Sequence, residues 1–279
     1  MTGLVFGESP RWGHDDRLWL ADWGAREIVA VDRDGKSEVM VRLRLPSFQA
    51  ISIDWLPDGR LLIVSSRDRL LLRREADGSL ITHADLTGVS DRGLNEIVVD
   101  GRSNAYINGA GFDLTGGEKF APGMIALLTP NGSARRVADG MAFPNGMAVT
   151  PDNSTLIVAE SYAKKLTAFD IATDGSLSNR RVWADLGDGV PDGICLDAEG
   201  AVWYADVPNK RCVRVREGGH VLQTVGLDLG CFACMLGGVD RRTLFMVVRE
   251  WRGLESTADG ARTGKVQMMD APAPGVGWP

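Results

Sequence analysis

Short apolar runs and turns alternate along the chain from one end to the other. Residues 190–215, VPDGICLDAEGAVWYADVPNKRCVRV, show the pattern most plainly. A turn at Pro191-Asp192-Gly193 opens a short apolar run, and Asp197-Ala198-Glu199-Gly200 turns it back. A second run spans Val202 to Ala205. After Asn209-Lys210 a third places apolar Val213 and Val215 in alternation. Apolar positions at period two, bounded by Gly, Pro, Asp and Asn, predict successive antiparallel strands.

The unit recurs. Its second strand starts at Leu18, Leu61, Ala105, Leu156, Val202 and Leu244, at steps of 43, 44, 51, 46 and 42 residues. Turns such as PDGR, PDNST and DAEG precede most of these starts. A multi-strand unit repeating every roughly 40 to 50 residues is the sequence mark of a β-propeller. Six copies fill the 279 residues. The expected fold is therefore all-β, a six-bladed β-propeller forming one domain over residues 1–279. Two α/β domains would need long segments of helical period with caps, and none is evident. Two connections, 109–124 and 250–264, are longer than the others. Loops of that length in a compact fold usually carry function or move.

Counting back ten residues from each second-strand start (eleven in the fourth copy) gives Glu8, Ile51, Asn95, Asn145, Asp192 and Cys234. The first strand of a blade lines the central channel, so one position taken from every blade predicts a ring around that channel. Four of the six carry a carboxylate or carboxamide. Such groups are costly to bury without a partner, and two carboxylates converging on an axis repel unless a cation lies between them. Each alone could cap a local turn. Four in one register point to an all-oxygen site for a hard divalent metal in the channel.

Composition narrows the function classes. Apolar content of 44% and charged content of 24% are ordinary for a globular protein, and a net charge of −6 argues against nucleic acid or an anionic membrane as the main partner. No run approaches the roughly 18 apolar residues of a membrane span. The opening MTGLVFGESPRW lacks the basic segment and apolar core of a signal peptide, so a cytoplasmic location is expected. Of the four cysteines, Cys231 and Cys234 form a CxxC. With no second such pair and no βαβ setting, buried structural thiols are expected rather than a zinc or redox site. The three histidines, His14, His83 and His220, all fall outside the ring register, which disfavours a His-rich zinc centre. No GxSxG elbow, P-loop or GxGxxG occurs.

The segments FGESPRW around Glu8, LNEIVVD around Asn95, FPNGMAVTPD around Asn145 and VPDGICLDAEG around Asp192 resemble a known set. In the same order, over nearly the whole chain, they are similar to the motifs of the gluconolactonase, senescence-marker-protein and luciferin-regenerating-enzyme family. The resemblance implies a six-bladed propeller with one divalent cation in its channel, held by Glu8, Asn145 and Asp192. Calcium is the first expectation, with magnesium, manganese, zinc or iron as alternatives. It puts Asn95 against the substrate, or against the metal through it, and Asn108 is assigned to the substrate as well. Trp23, Trp251 and the loop from Gly109 to Gly123 are read as a lid or wall. Many members have Arg two residues before the Asn and Asp straight after it. Here those places hold Gly93 and Glu96, with Arg92 one step off, a departure that bears on a sugar-lactone pocket.

The expected function is a metal-dependent hydrolase that opens a lactone with metal-activated water, Asp192 acting as general base. The alternatives are a phosphotriester or fluorophosphate hydrolase on the same site, or a non-catalytic binding propeller plugged by the metal. The expected partner is a small molecule. Only seven residues precede Glu8, so the sixth blade is expected to take its outer edge from late in the chain, around Lys265–Met269 and beyond. An exposed edge there invites pairing, which predicts a monomer or a weak dimer.

Overall fold

Each repeat folds as one four-stranded antiparallel sheet, and six such sheets follow one another around a ring. The computed structural model describes residues 1–113, 116–253 and 260–277. The predicted loop 109–124 is thus described except for 114–115, and the loop 250–264 except for 254–259. Every predicted second strand is present: Leu18–Asp22, Leu61–Ser65, Ala105–Gly109, Thr155–Glu160, Val202–Asp206 and Thr243–Arg249. Four start on the predicted residue and two start one residue earlier. All five residues of Leu18–Asp22, Leu61–Ser65 and Val202–Asp206 are buried, because neighbouring blades cover both faces of these strands. Such strands read as continuous apolar runs.

The inner strands are Gly7–Trp12, Ile51–Trp55, Ile97–Val99, Pro144–Val149, Pro191–Leu196 and Gly230–Gly237, for blades one to six. The outer strands are mostly exposed or half-buried, as the rim of each blade requires. Blade six packs back on blade one, with the Trp12 and Phe245 rings stacked at 5.5 Å, and this closes the ring. Among the described residues the single helix is a short 3-10 turn, Ser161–Ala163, and no helix is long and apolar enough to cross a membrane.

The closure differs from expectation. The outer strand of blade six is Thr2–Leu4, paired with Gly264–Asp270 through Thr2 with Lys265 and Leu4 with Gly264. Three residues suffice because other contacts anchor them. Leu4 is buried in the core, and both oxygens of the Asp22 carboxylate accept the Val5 and Phe6 N–H groups at 2.9 and 3.0 Å. The outer edge is therefore formed by the start of the chain. The segment after Asp270 instead crosses the far mouth of the channel. Ala198 N–H donates to the Pro274 carbonyl, Gly275 N–H to Arg241 and Val276 N–H to Leu196, tying blade five to blade six.

Candidate functional site at one mouth of the channel

A cavity of about 710 Å³ opens at the end of the channel opposite that tail. Glu8, Asn95, Asn145 and Asp192 all line it, and so does Trp23. What brings them there is a shared irregularity. The inner strands of blades one, four and five each shift register, between Glu8 and Arg11, Pro144 and Met147, and Pro191 and Ile194. One extra residue on one side of an antiparallel pair re-aims a side chain. Blade three does the same just above its inner strand. There Asn95 N–H donates to the Asn108 carbonyl and Asn108 N–H to the Glu96 carbonyl, so two residues face one.

Blade two pairs regularly, from Ile51 with Ser65 to Trp55 with Leu61, and Ile51 stays wholly buried in the sheet. Blade six has its irregularity between Cys231 and Ala233, but its turn from Leu236 to Leu244 is two residues longer than that from Leu196 to Val202. Counting back ten therefore stops two positions short of the ring: Phe232 faces the cavity, while Cys234 turns into the core between blades five and six. The ring as built is Glu8, Asn95, Asn145, Asp192 and Phe232, with Gln49 and Ala50 of blade two completing the wall.

The glycines of the PNG and PDG motifs are required by crowding. A Cβ on Gly146 would lie 2.5 Å from the Ile194 nitrogen, and one on Gly193 would lie 2.7 Å from the Ala233 Cα. Bare backbone lets the inner strands of blades four, five and six converge beside the ring.

The floor of the cavity is electrically unusual. Burial, then the charges of Asp192 and Glu96, push the Glu8 carboxyl well above its usual range; the Ser9 N–H, 3.2 Å from it, offsets part of this. Burial and the Glu96 charge push Asp192 up likewise, and the Asn145 carboxamide beside it offsets part. Neither Glu8 nor Asp192 forms an ion pair among the described residues. Glu96 was missed as a site residue by the counting frame, which stopped at Asn95. It lines the cavity, and burial pushes it to about 7 even though Arg11 stands 3.7 Å away. Arg11 is itself buried between Glu96 and Asp54, 3.4 Å from the latter.

The other expected residues hold the frame. Asn108 is wholly buried and lies outside the cavity wall. Its Nδ2 donates to the Asn145 carbonyl at 2.7 Å and its Oδ1 accepts the Glu96 N–H at 3.1 Å, so it positions both neighbours. Asn95 donates a long 3.3 Å bond to the Pro144 carbonyl. Asn145 reaches the Ser161 hydroxyl at 3.4 Å. Trp23 stacks on Phe6 at 5.0 Å and donates its Nε1–H to the Ile51 carbonyl at 2.7 Å. Trp251 lines the same wall, edge-on to Phe232.

The four cysteines gather in one core cluster behind blades five and six. All are free, with Cys195 Sγ 3.9 Å from Cys234 Sγ. Among the described residues no group of three or more His, Cys, Asp and Glu side chains is arranged to hold a metal. The ring supplies two carboxylates and two carboxamides instead, and that donor set suits a hard cation.

Comparison with known proteins settles the family. Residues 6–249 match the SMP-30/Gluconolactonase/LRE-like region. The chain belongs to this family. It is 26% identical to a pentonolactonase of Haloferax volcanii over 98% of this chain and 94% of that one. It is 33% identical to a regucalcin of Xenopus laevis over 44% of this chain and 43% of the relative. Among solved structures, a calcium-binding regucalcin of Agrobacterium tumefaciens superposes with a TM-score of 0.81 at 21% identity, covering 100% of this chain and 94% of that one. The family includes lactone-opening enzymes, which supports a hydrolase, and the structural likeness supports the six-bladed fold.

Proposed function

We propose that the chain is a divalent-metal-dependent hydrolase that opens a lactone at the mouth of the channel. The observation that carries this is the pair Glu8 and Asp192. Two carboxylates are held at the floor of a cavity, without a basic partner, and both are pushed up by burial and neighbouring charge. A divalent cation among Glu8, Asn145 and Asp192 would offset that cost, and oxygen donors of this kind favour calcium or magnesium over softer ions. The calcium-binding relative and the pentonolactonase are consistent with both parts of the reading.

When bound, the cation supplies Lewis acidity toward the lactone carbonyl and makes water a better nucleophile near neutral pH. The chain does the rest. Asp192 accepts the proton from the attacking water as its oxygen joins the carbonyl carbon. The ring C–O bond then breaks, and the leaving oxygen takes a proton to give the hydroxy acid. Asn145 orients Asp192, Asn108 fixes the backbone of Asn145, and Asn95 offers its carboxamide to the substrate. The aromatic wall of Phe6, Trp23 and Phe232 excludes bulk water from this step.

The test is acid release from γ- and δ-lactones by metal-stripped protein, with calcium, magnesium, manganese, zinc or iron restored. Turnover should vanish on stripping and return with metal. Asp192→Asn should cost at least about a hundredfold in kcat, about 2.7 kcal/mol in barrier. A phosphotriester turned over faster than every lactone would shift the assignment to that ester. Near wild-type rates in Asp192→Asn at saturating metal would remove Asp192 from the general-base role.

A further inference from the structure

We propose that the substrate is a lactone with an apolar, aromatic-sized body and an anionic substituent, the anion seated by Arg67 and Arg69 at the rim. The inference rests on the lactone-opening reading and concerns which lactone the cavity accepts.

The first observation is what the walls lack. A sugar lactone carries several hydroxyls, and each must find a partner when water is excluded. The amide and hydroxyl side chains of Gln49, Ser66 and Ser161 above the ring are already engaged with the protein. The Gln49 Oε1 accepts the Arg67 backbone N–H at 2.6 Å, the Ser66 hydroxyl donates to the Leu94 carbonyl, and the Ser161 hydroxyl donates to the Pro191 carbonyl at 2.7 Å. Trp23 Nε1–H is taken by Ile51. Gly93 contributes no side chain at all. The surfaces left facing the cavity are rings. Phe6, Trp23, Phe48, Phe232 and Trp251 pack in one group with centroids 4.9 to 6.1 Å apart. Across the cavity, Phe112, Phe143 and Tyr162 form a second group at 5.0 to 5.8 Å. Two aromatic faces opposed across one cavity suit a flat apolar body, held by stacking and edge contacts.

The second observation is the charge at the rim. Arg67, Arg69 and Arg92 all line the same cavity. Arg92 is paired with Glu118 at 2.9 Å. Arg67 is exposed and forms no ion pair among the described residues; its Nη1 donates only to the Ser47 hydroxyl, at 3.3 Å. Arg69 likewise forms no ion pair and makes a long 3.4 Å bond to the Ser90 carbonyl, with Asp85 near enough to feel its charge but not to touch it. Both sit on one tight turn, which the Arg69 N–H closes on the Ser66 carbonyl. The acidic residue on that side of the rim, Asp91, turns toward Arg136 at 3.9 Å. Two guanidiniums free of carboxylates, above an apolar cavity, match a carboxylate or similar anion at the outer end of the substrate.

The probes are D-glucono-δ-lactone, neutral dihydrocoumarin, and dihydrocoumarin bearing a ring carboxylate, with calcium-loaded protein. The carboxylated aryl lactone should exceed the neutral one at least tenfold in kcat/KM, chiefly through KM, and both should exceed the sugar lactone. In Arg67→Gln/Arg69→Gln, a rim double variant whose fold is checked by its melting temperature, the ratio between the two aryl lactones should fall to about one. A sugar lactone preferred over both, or a carboxylate preference that survives in the double variant, overturns the inference and leaves the lactonase reading standing. A second arm is independent of turnover. The unhydrolysable lactam of the carboxylated probe should quench the fluorescence of Trp23 and Trp251 in wild type, and about tenfold more weakly in the double variant. Equal quenching in the two proteins overturns the inference even if no lactone is turned over, an outcome that would separately remove the lactonase reading.

Discussion

Glu96 shows how much one buried carboxyl changes the behaviour of the site. Its folded-state value of about 7 lies above the ordinary glutamate value of 4.5. The folded protein therefore holds a proton that the unfolded chain releases. The stability this confers is complete below about pH 4.5 and is lost as pH rises through about 7. Glu8 and Asp192 are shifted in the same direction, so metal-free protein should be less stable to urea at pH 8 than at pH 5. Glu96→Gln should lose less stability across that interval than wild type; identical slopes would mean that Glu96 titrates normally. At this scale the sequence carried four cavity residues, because Glu8, Asn95, Asn145 and Asp192 share one frame relative to turns that are visible as PDG-like strings. Glu96 escaped because its neighbour Asn95 already filled the frame. Phe232 escaped because the turn of blade six is two residues longer, and only the strand pairing reveals that.

The inner strand is the element on which the site depends, and its irregular register is enforced by crowding between blades. Gly193→Ala sets a methyl 2.7 Å from the Ala233 Cα, a backbone atom that cannot swing aside. Overpacking of this kind costs about 1–3 kcal/mol, and because it pushes blade five away from blade six it should also weaken calcium binding. Gly226→Ala, where a new Cβ meets nothing within 4 Å, is the control and should be within about 0.5 kcal/mol of wild type. Equal stabilities for the two variants would contradict the crowding argument. Second strands were legible to within a residue because both of their faces are buried and their apolar runs are unbroken. The register shifts of the inner strands were not, since contacts to the next blade, forty or more residues away, decide them. Thr2–Leu4 was also beyond reach: three residues hold no period, and their strand state comes from pairing with Gly264–Asp270 and from Asp22.

Closure of the whole ring rests on two ends of the chain acting in different places. The start supplies the outer edge of blade six, while residues 271–277 span blades five and six at the far mouth, with Ala273 fully buried. Removing residues 271–279 deletes four backbone hydrogen bonds at about 1 kcal/mol each, and for a chain of this size the melting temperature should fall by about 5–10 °C. An unchanged melting temperature would mean the tail merely lies on the surface. Four of the six blades then line the floor of one cavity with oxygen, and the function follows from what that floor holds. The most direct measurement titrates calcium into metal-stripped protein, following heat and lactone hydrolysis in the same samples. The stripped protein should be silent, and the rate should rise with the occupancy of one site per chain and level off when that site is full. Hydrolysis at full rate in the stripped protein, or calcium binding that leaves the rate unchanged, would contradict it.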